Sequence, residues 1–99
     1  MTEEAQNNIP RENFDAISKA LISAANASSK AGAASHISIA EYHRHVIRRF
    51  LDFYVDEQLT SAIEYAQKAA GKVKGKEHLI GNATHFRLKF EGMITIVDE

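Results

Sequence analysis

With 99 residues, and 12 Lys and Arg against 13 Asp and Glu, the chain is nearly neutral and long enough for one domain; a chain of this size buries roughly 60–70% of its unfolded surface, which allows one modest core. Its 44% apolar and 25% charged residues are those of a globular domain rather than a disordered segment. It has no cysteine, which excludes disulfides, thiolate zinc sites and a cysteine nucleophile and suits a reducing compartment, and a net charge of −1 supplies no long-range field for nucleic acid or membrane.

The opening MTEEAQNNIPREN is acidic and polar where a secretory leader is basic and then apolar. No later run approaches the ~18 apolar residues of a membrane span, so a cytoplasmic protein is expected. Residues 1–9 read as a flexible tail and 10–99 as a single domain. Pro10 suits the first position of a helix, where its missing N–H would be unbonded anyway. From it Phe14, Ile17 and Leu21 form one stripe and Ala16, Ala20, Ala24, Ala27 and Ala31 a neighbouring one, predicting a helix over about 10–30. The stretch 24–37 is either the end of this helix, stopped by Gly32 in a left-handed cap, or an Ala/Ser linker.

Ile37-Ser38-Ile39-Ala40-Glu41-Tyr42 is written like a helix start, with Ser38 and Glu41 as a capping box and Ile37 able to clamp onto Tyr42. At 100° per residue, Ile39, Tyr42, His43, Val46, Ile47, Phe50, Phe53 and Tyr54 then share one face and Glu41, Arg44, His45, Arg48, Asp52 and Asp56 the other. This long amphipathic helix, over about 38–57, is expected to supply the main core, with Val46, Phe50 and Phe53 buried. The pattern fails at Glu57, Leu59 and Ile63, and a second capping box, Ser61-x-x-Glu64, sits nearby. A break near 58–60 and a third helix over about 61–72, with Ile63, Ala66, Ala70 and Val73 inward, account for this; one long helix that changes its buried face is the rival.

Gly71 and Gly75 among Lys68, Lys72, Lys74 and Lys76 read as a basic loop. Thr84 to Phe90 alternates strictly, apolar at even positions, and predicts a half-buried strand over about 84–90. Glu91-Gly92 then reads as a turn into a β-branched strand over about 93–98, giving a C-terminal hairpin and an α+β fold.

No motif carries chemistry. GKVKGK lacks both the spacing and the Ser/Thr of a phosphate loop. His43 and His45 point about 200° apart on a helix, and no metal-ligand spacing occurs, so no metal or cofactor is expected. No nucleophile elbow is present, and the carboxylates fall on a solvated face, so the chain is not expected to be an enzyme.

What remains is a binding protein. The expected apolar stripe is too wide for a small hairpin to cover, which points to a homodimer or another protein partner. The size suits regulators, inhibitors, immunity proteins or phage and mobile-element proteins. Arg44, His45, Arg48, Arg49 and Asp52 are the candidate partner-binding residues, and Lys72, Lys74 and Lys76 the basic loop. The alternative is a nucleic-acid-binding accessory protein that uses the same basic helix and loop, against which stand Asp52, Asp56 and Glu57 directly after the arginines.

Overall fold

The computed structural model describes residues 6–98. Among them the chain forms strand β1 (Asn8–Pro10), helix α1 (Arg11–Asn26), helix α2 (Lys30–Ile47), a 3-10 turn (Arg48–Phe50), helix α3 (Phe53–Ala69), helix α4 (Lys76–Met93) and strand β2 (Thr95–Val97). The result is a single small domain, mostly helical, with a two-stranded parallel sheet in place of the expected hairpin. The helices run up and down in sequence order: α1 packs along α2, α3 along α4, and α1 and α3 also meet across the diagonal.

Helix boundaries follow caps that the sequence carries less conspicuously than the two capping boxes. Pro10 is the N-cap of α1 and not its first residue. Ala27, extended at φ −65° and ψ 143°, closes α1 four residues earlier than expected. Ser29 then caps α2, its side chain accepting from the Gly32 N–H at 2.9 Å. Gly32 therefore lies inside the first turn of α2 instead of ending α1, and a Cβ there would approach Ser29 Oγ to 3.0 Å. Ser38 and Glu41 are exposed in the middle of α2. Helix-favouring alanines from Ala31 onward carry the helix through them without a new start.

The break after α2 comes at Leu51 and Asp52, not at 58–60. Leu51 is extended (φ −103°, ψ 139°), and Asp52 caps α3 by accepting from the Val55 N–H at 3.0 Å. Ser61 and Glu64 consequently lie within α3, whose inward row is Val55, Leu59, Ala62, Ile63, Ala66 and Ala69.

Burial on α2 also departs from expectation. Its inward row is Ala33, Ile37, Ala40 and Ile47, while Val46, Phe50 and Phe53 are 39%, 37% and 78% exposed. Alanine and isoleucine go inward because α2 packs along α1, whose buried residues include Ala20 and Ala24, and alanines let two backbones approach where a phenylalanine would hold them apart. The largest fully buried side chain is Phe90 of α4.

The alternating run 84–90 is helical throughout. Phe86 and Phe90 are four apart, so both a period of two and a helical face bring them together. Phe86 stacks on Tyr65 of α3 at 5.6 Å, Phe90 is fully buried, and Leu88, which a strand would have turned inward, is 54% exposed. Arg87 reaches Glu91 one turn on at 2.9 Å, and Ser18 of α1 donates to the same carboxylate. Glu91-Gly92 is thus the last turn of α4 rather than a hairpin turn.

The strands at the two ends of the chain pair with each other, Asn8 with Thr95, Ile9 with Ile96 and Pro10 with Val97. Of the expected tail, residues 1–5 lie outside the described residues, whereas Ile9 is fully buried. Asn7, at φ 56°, ties this end together. Its N–H donates to the Phe50 carbonyl, its carbonyl accepts from Thr95, and its side-chain amide both donates to Asp52 and accepts from the Asp52 N–H. Asparagine is one of the few non-glycine residues that tolerates this left-handed geometry.

At the opposite end, Gly71 (φ 90°) and Gly75 (φ 71°) turn the chain from α3 into α4. The Lys76 ammonium there shares its three N–H groups among the carbonyls of Ala25, Ala27, Ala69 and Gly71, at 2.6–3.3 Å. Lys30 adds bonds to the carbonyls of Gln67 and Lys68. Lys76 therefore sits on carbonyls at the C-termini of both α1 and α3 and Lys30 on carbonyls of the last turn of α3, where the helix dipoles favour positive charge.

Candidate partner-binding surface

The corner where α2 passes through the 3-10 turn into α3 carries all five residues singled out as partner-binding, and the fold gives them different work. Arg44 and Asp56 form a bidentate ion pair across α2 and α3, at 2.9 and 2.8 Å, with side chains 27% and 14% exposed. These hydrogen bonds raise the Arg44 pKa against the opposing effect of burial. Asp52 is engaged as the α3 cap and by the Asn7 amide, and both sets of hydrogen bonds, the backbone ones first, lower its pKa. These two residues hold the corner in shape. Arg48, at 65% exposure, reaches the Asp56 carboxylate only at 3.9 Å. Arg49 lies over the Phe50 ring at 4.9 Å, and His45 is exposed.

Around these cations stand the aromatic residues assigned to the core by the sequence pattern. On α2, Ile39, Tyr42 and Val46 fall within 60° of one another at 100° per residue, with Phe50 a turn further on, and all four are exposed by 37–63%. At the start of α3, Phe53 is 78% and Tyr54 50% exposed, with the Lys89 ammonium 5.5 Å from the Tyr54 ring. His43, placed on the apolar face, has its Nδ1 2.8 Å from the side-chain amide of the buried Asn13 of α1. The signal that could have revealed the outer row was a second one on the same helix: Ala33, Ile37, Ala40 and Ile47 also recur at helical spacing and claim the inward face.

The basic loop divides. Lys72 and Lys74 are exposed, while Lys76 is fastened to its four carbonyls. The loop also lies at the opposite end of a molecule 48 Å long from Arg48 and Arg49, so the two basic groups do not form one surface. A groove of about 310 Å³ between α1 and α2 is lined by Ala16, Lys19, Ala20, His36 and Ile39. A smaller one of about 150 Å³ between α1 and α4 includes Leu21, Ile80, Ala83 and Arg87. Among the described residues no three His, Asp or Glu are grouped to hold a metal ion, and no helix is long and apolar enough to cross a membrane.

Comparison with known proteins finds no matching family, no similar characterised protein and no similar solved structure.

Proposed function

We propose that this chain is a non-enzymatic protein that acts in the cytoplasm by binding other proteins, as a regulator, inhibitor or immunity-type protein of the kind phages and mobile elements encode, and that it works as a homodimer. The observation that carries the reading is the exposure of Phe53 and Tyr54 at the corner between α2 and α3. Exposed aromatics beside arginines are the residue types that anchor protein interfaces. The cations there are also free to face a partner. Asp56 is held at close range by Arg44 and only loosely by Arg48, and Asp52 by the α3 terminus and Asn7, which leaves Arg49 and Lys89, with the largely exposed Arg48, as a positive rim. An acidic protein surface with an apolar centre complements it, and the rim would speed encounter more than it would tighten binding.

Capture with the tagged full chain, followed by mass spectrometry, tests this. A defined protein should be recovered by the wild type, lost with Phe53→Ser and captured more slowly, with reduced salt dependence, by Arg49→Glu. Recovery of nucleic acid that falls steeply with salt and is abolished by Arg48→Glu would establish the nucleic-acid reading instead. The separation of Lys72 and Lys74 from the arginines weighs against that outcome.

A further inference from the structure

The geometry points to a monovalent-cation site between the ends of α1 and α3: a cage of four backbone carbonyls that fits an ammonium or potassium ion, and that Lys76 fills with its own tethered ammonium. The inference goes beyond the protein-binding reading and does not depend on it.

The cage is built from two helix ends. Ala25 and Ala27 supply carbonyls from the C-terminus of α1, Ala69 and Gly71 from the C-terminus of α3, and all four oxygens lie 2.6–3.3 Å from Lys76 Nζ. The Gly71 N–H donates to the Ala27 carbonyl at 2.9 Å, which fastens the two ends to each other independently of the cation. Ala25, Ala69 and Gly71 are buried, and Lys76 is the one lysine of the chain that is not exposed. Little water can therefore take the place of the ion, and carbonyls left without it would lose a partner that water does not replace.

Three features mark an ion site rather than a set of directed hydrogen bonds. An ammonium has three N–H groups, yet four oxygens surround this one, so charge rather than donor direction holds the full set. Among the described residues no carboxylate pairs with Lys76. Its charge is met by peptide dipoles, as it is where carbonyl oxygens replace the hydration shell of potassium. Lys76 is also out of place on its own helix, since it is the first residue of α4, where the dipole disfavours a cation. Its side chain reaches instead to two other helix ends, whose dipoles favour it.

Ammonium and potassium ions are nearly equal in size. Sodium is smaller, and tetramethylammonium is larger and has no N–H to offer. Lys76→Ala removes the tethered ion and leaves the carbonyls, so the variant should take up a free ion of the right size in its place.

The test melts the full chain by circular dichroism at neutral pH in tetramethylammonium, sodium, potassium and ammonium chlorides of equal concentration. In tetramethylammonium chloride Lys76→Ala should melt well below the wild type. Potassium and ammonium should each return more than half of the difference, and sodium much less. The recovery should rise with the logarithm of ion concentration, as stabilisation by one bound ion does above its dissociation constant. The wild type, whose cage is filled, and Lys76→Met, whose side chain blocks it, should show no such preference among the four salts. Where Lys76→Ala does not fold in tetramethylammonium, the return of helical circular dichroism on adding potassium or ammonium is the same readout. A Lys76→Ala variant as stable as the wild type overturns the inference, as does one that no ion restores or that all four salts restore equally. Recovery in ammonium alone overturns it too, because the carbonyls would then be hydrogen-bond acceptors and not an ion site. Acetylation of the wild type, followed by mass spectrometry, checks the resident ion: Lys76 should be the last lysine to react, and a Lys76 that reacts as fast as Lys72 and Lys74 overturns its assignment.

Discussion

Lys76 looks in the sequence like one of several loop lysines, and its four carbonyl partners make it a different residue from Lys72 and Lys74. Replacing it with methionine keeps the aliphatic stem but strands carbonyls at the ends of two helices. Lys76→Met is expected to cost on the order of 2–3 kcal/mol in urea denaturation, while Lys72→Met and Lys74→Met should stay within about 0.5 kcal/mol of wild type. The phenylalanines divide in the same way. Phe90→Ala should cost about 3–5 kcal/mol and unfold much of a domain this small. Phe53→Ala should leave the melting temperature of the unassociated chain nearly unchanged, because its ring is already mostly in water, and Phe50→Ala, whose ring is partly covered, should cost less than Phe90→Ala.

The caps decide where each helix begins, and serine substitutions can locate them. Ser29→Ala removes the side chain that holds the Gly32 N–H and should cost about 1 kcal/mol. Ser38→Ala and Ser61→Ala, both within helices, should be neutral or slightly stabilising, since alanine is the better helix former there. The Asp52 cap carries a pH signature too. Hydrogen bonds from the Val55 N–H and the Asn7 amide hold its carboxyl below the ordinary range, and Arg11 does the same for Asp98. A carboxyl whose folded pKa is lowered adds stability above its unfolded pKa of about 4, and that stability is lost as pH falls through the folded value. Asp52→Asn keeps an acceptor for the Val55 N–H and removes the titration. Stability measured against pH should therefore fall less steeply below about pH 4 in this variant than in the wild type.

These elements also show what could be read in advance. The inward residues Ile63 and Ala66 of α3, the buried Ala70 that caps it and the start of α1 beside Pro10 were legible, because local spacing and backbone chemistry determine them, whereas Val73, expected to continue that row, lies in the turn beyond the helix and is only half-buried. The buried face of α2 was not: the helix carries two apolar rows, and only the distance to α1 decides that alanine and isoleucine go inward. The run 84–90 was misread because seven residues cannot separate a period of two from phenylalanines four apart. The corner arginines were legible as a group. Their division into a structural Arg44 and an exposed Arg48 and Arg49 depends on where Asp56 comes to rest, and that is set by the break at Leu51.

For the molecule as a whole, circular dichroism should be dominated by helix with little strand signal, and a strand-rich spectrum would contradict the fold. The parallel pairing of β1 with β2 could not be anticipated, since three residues at each end carry no periodicity and their partners are 87 positions apart in the register Asn8 to Thr95. It also gives the protein a mechanical character. All four helices lie within the loop that this ribbon closes. Tension applied to the two chain ends enters at residue 8 and leaves at residue 97, pulling parallel strands past each other so that their hydrogen bonds bear the load together. No helix can be drawn out until they part: under stretching, the ribbon is a shear pin that gives way first, and the bundle unravels only after it.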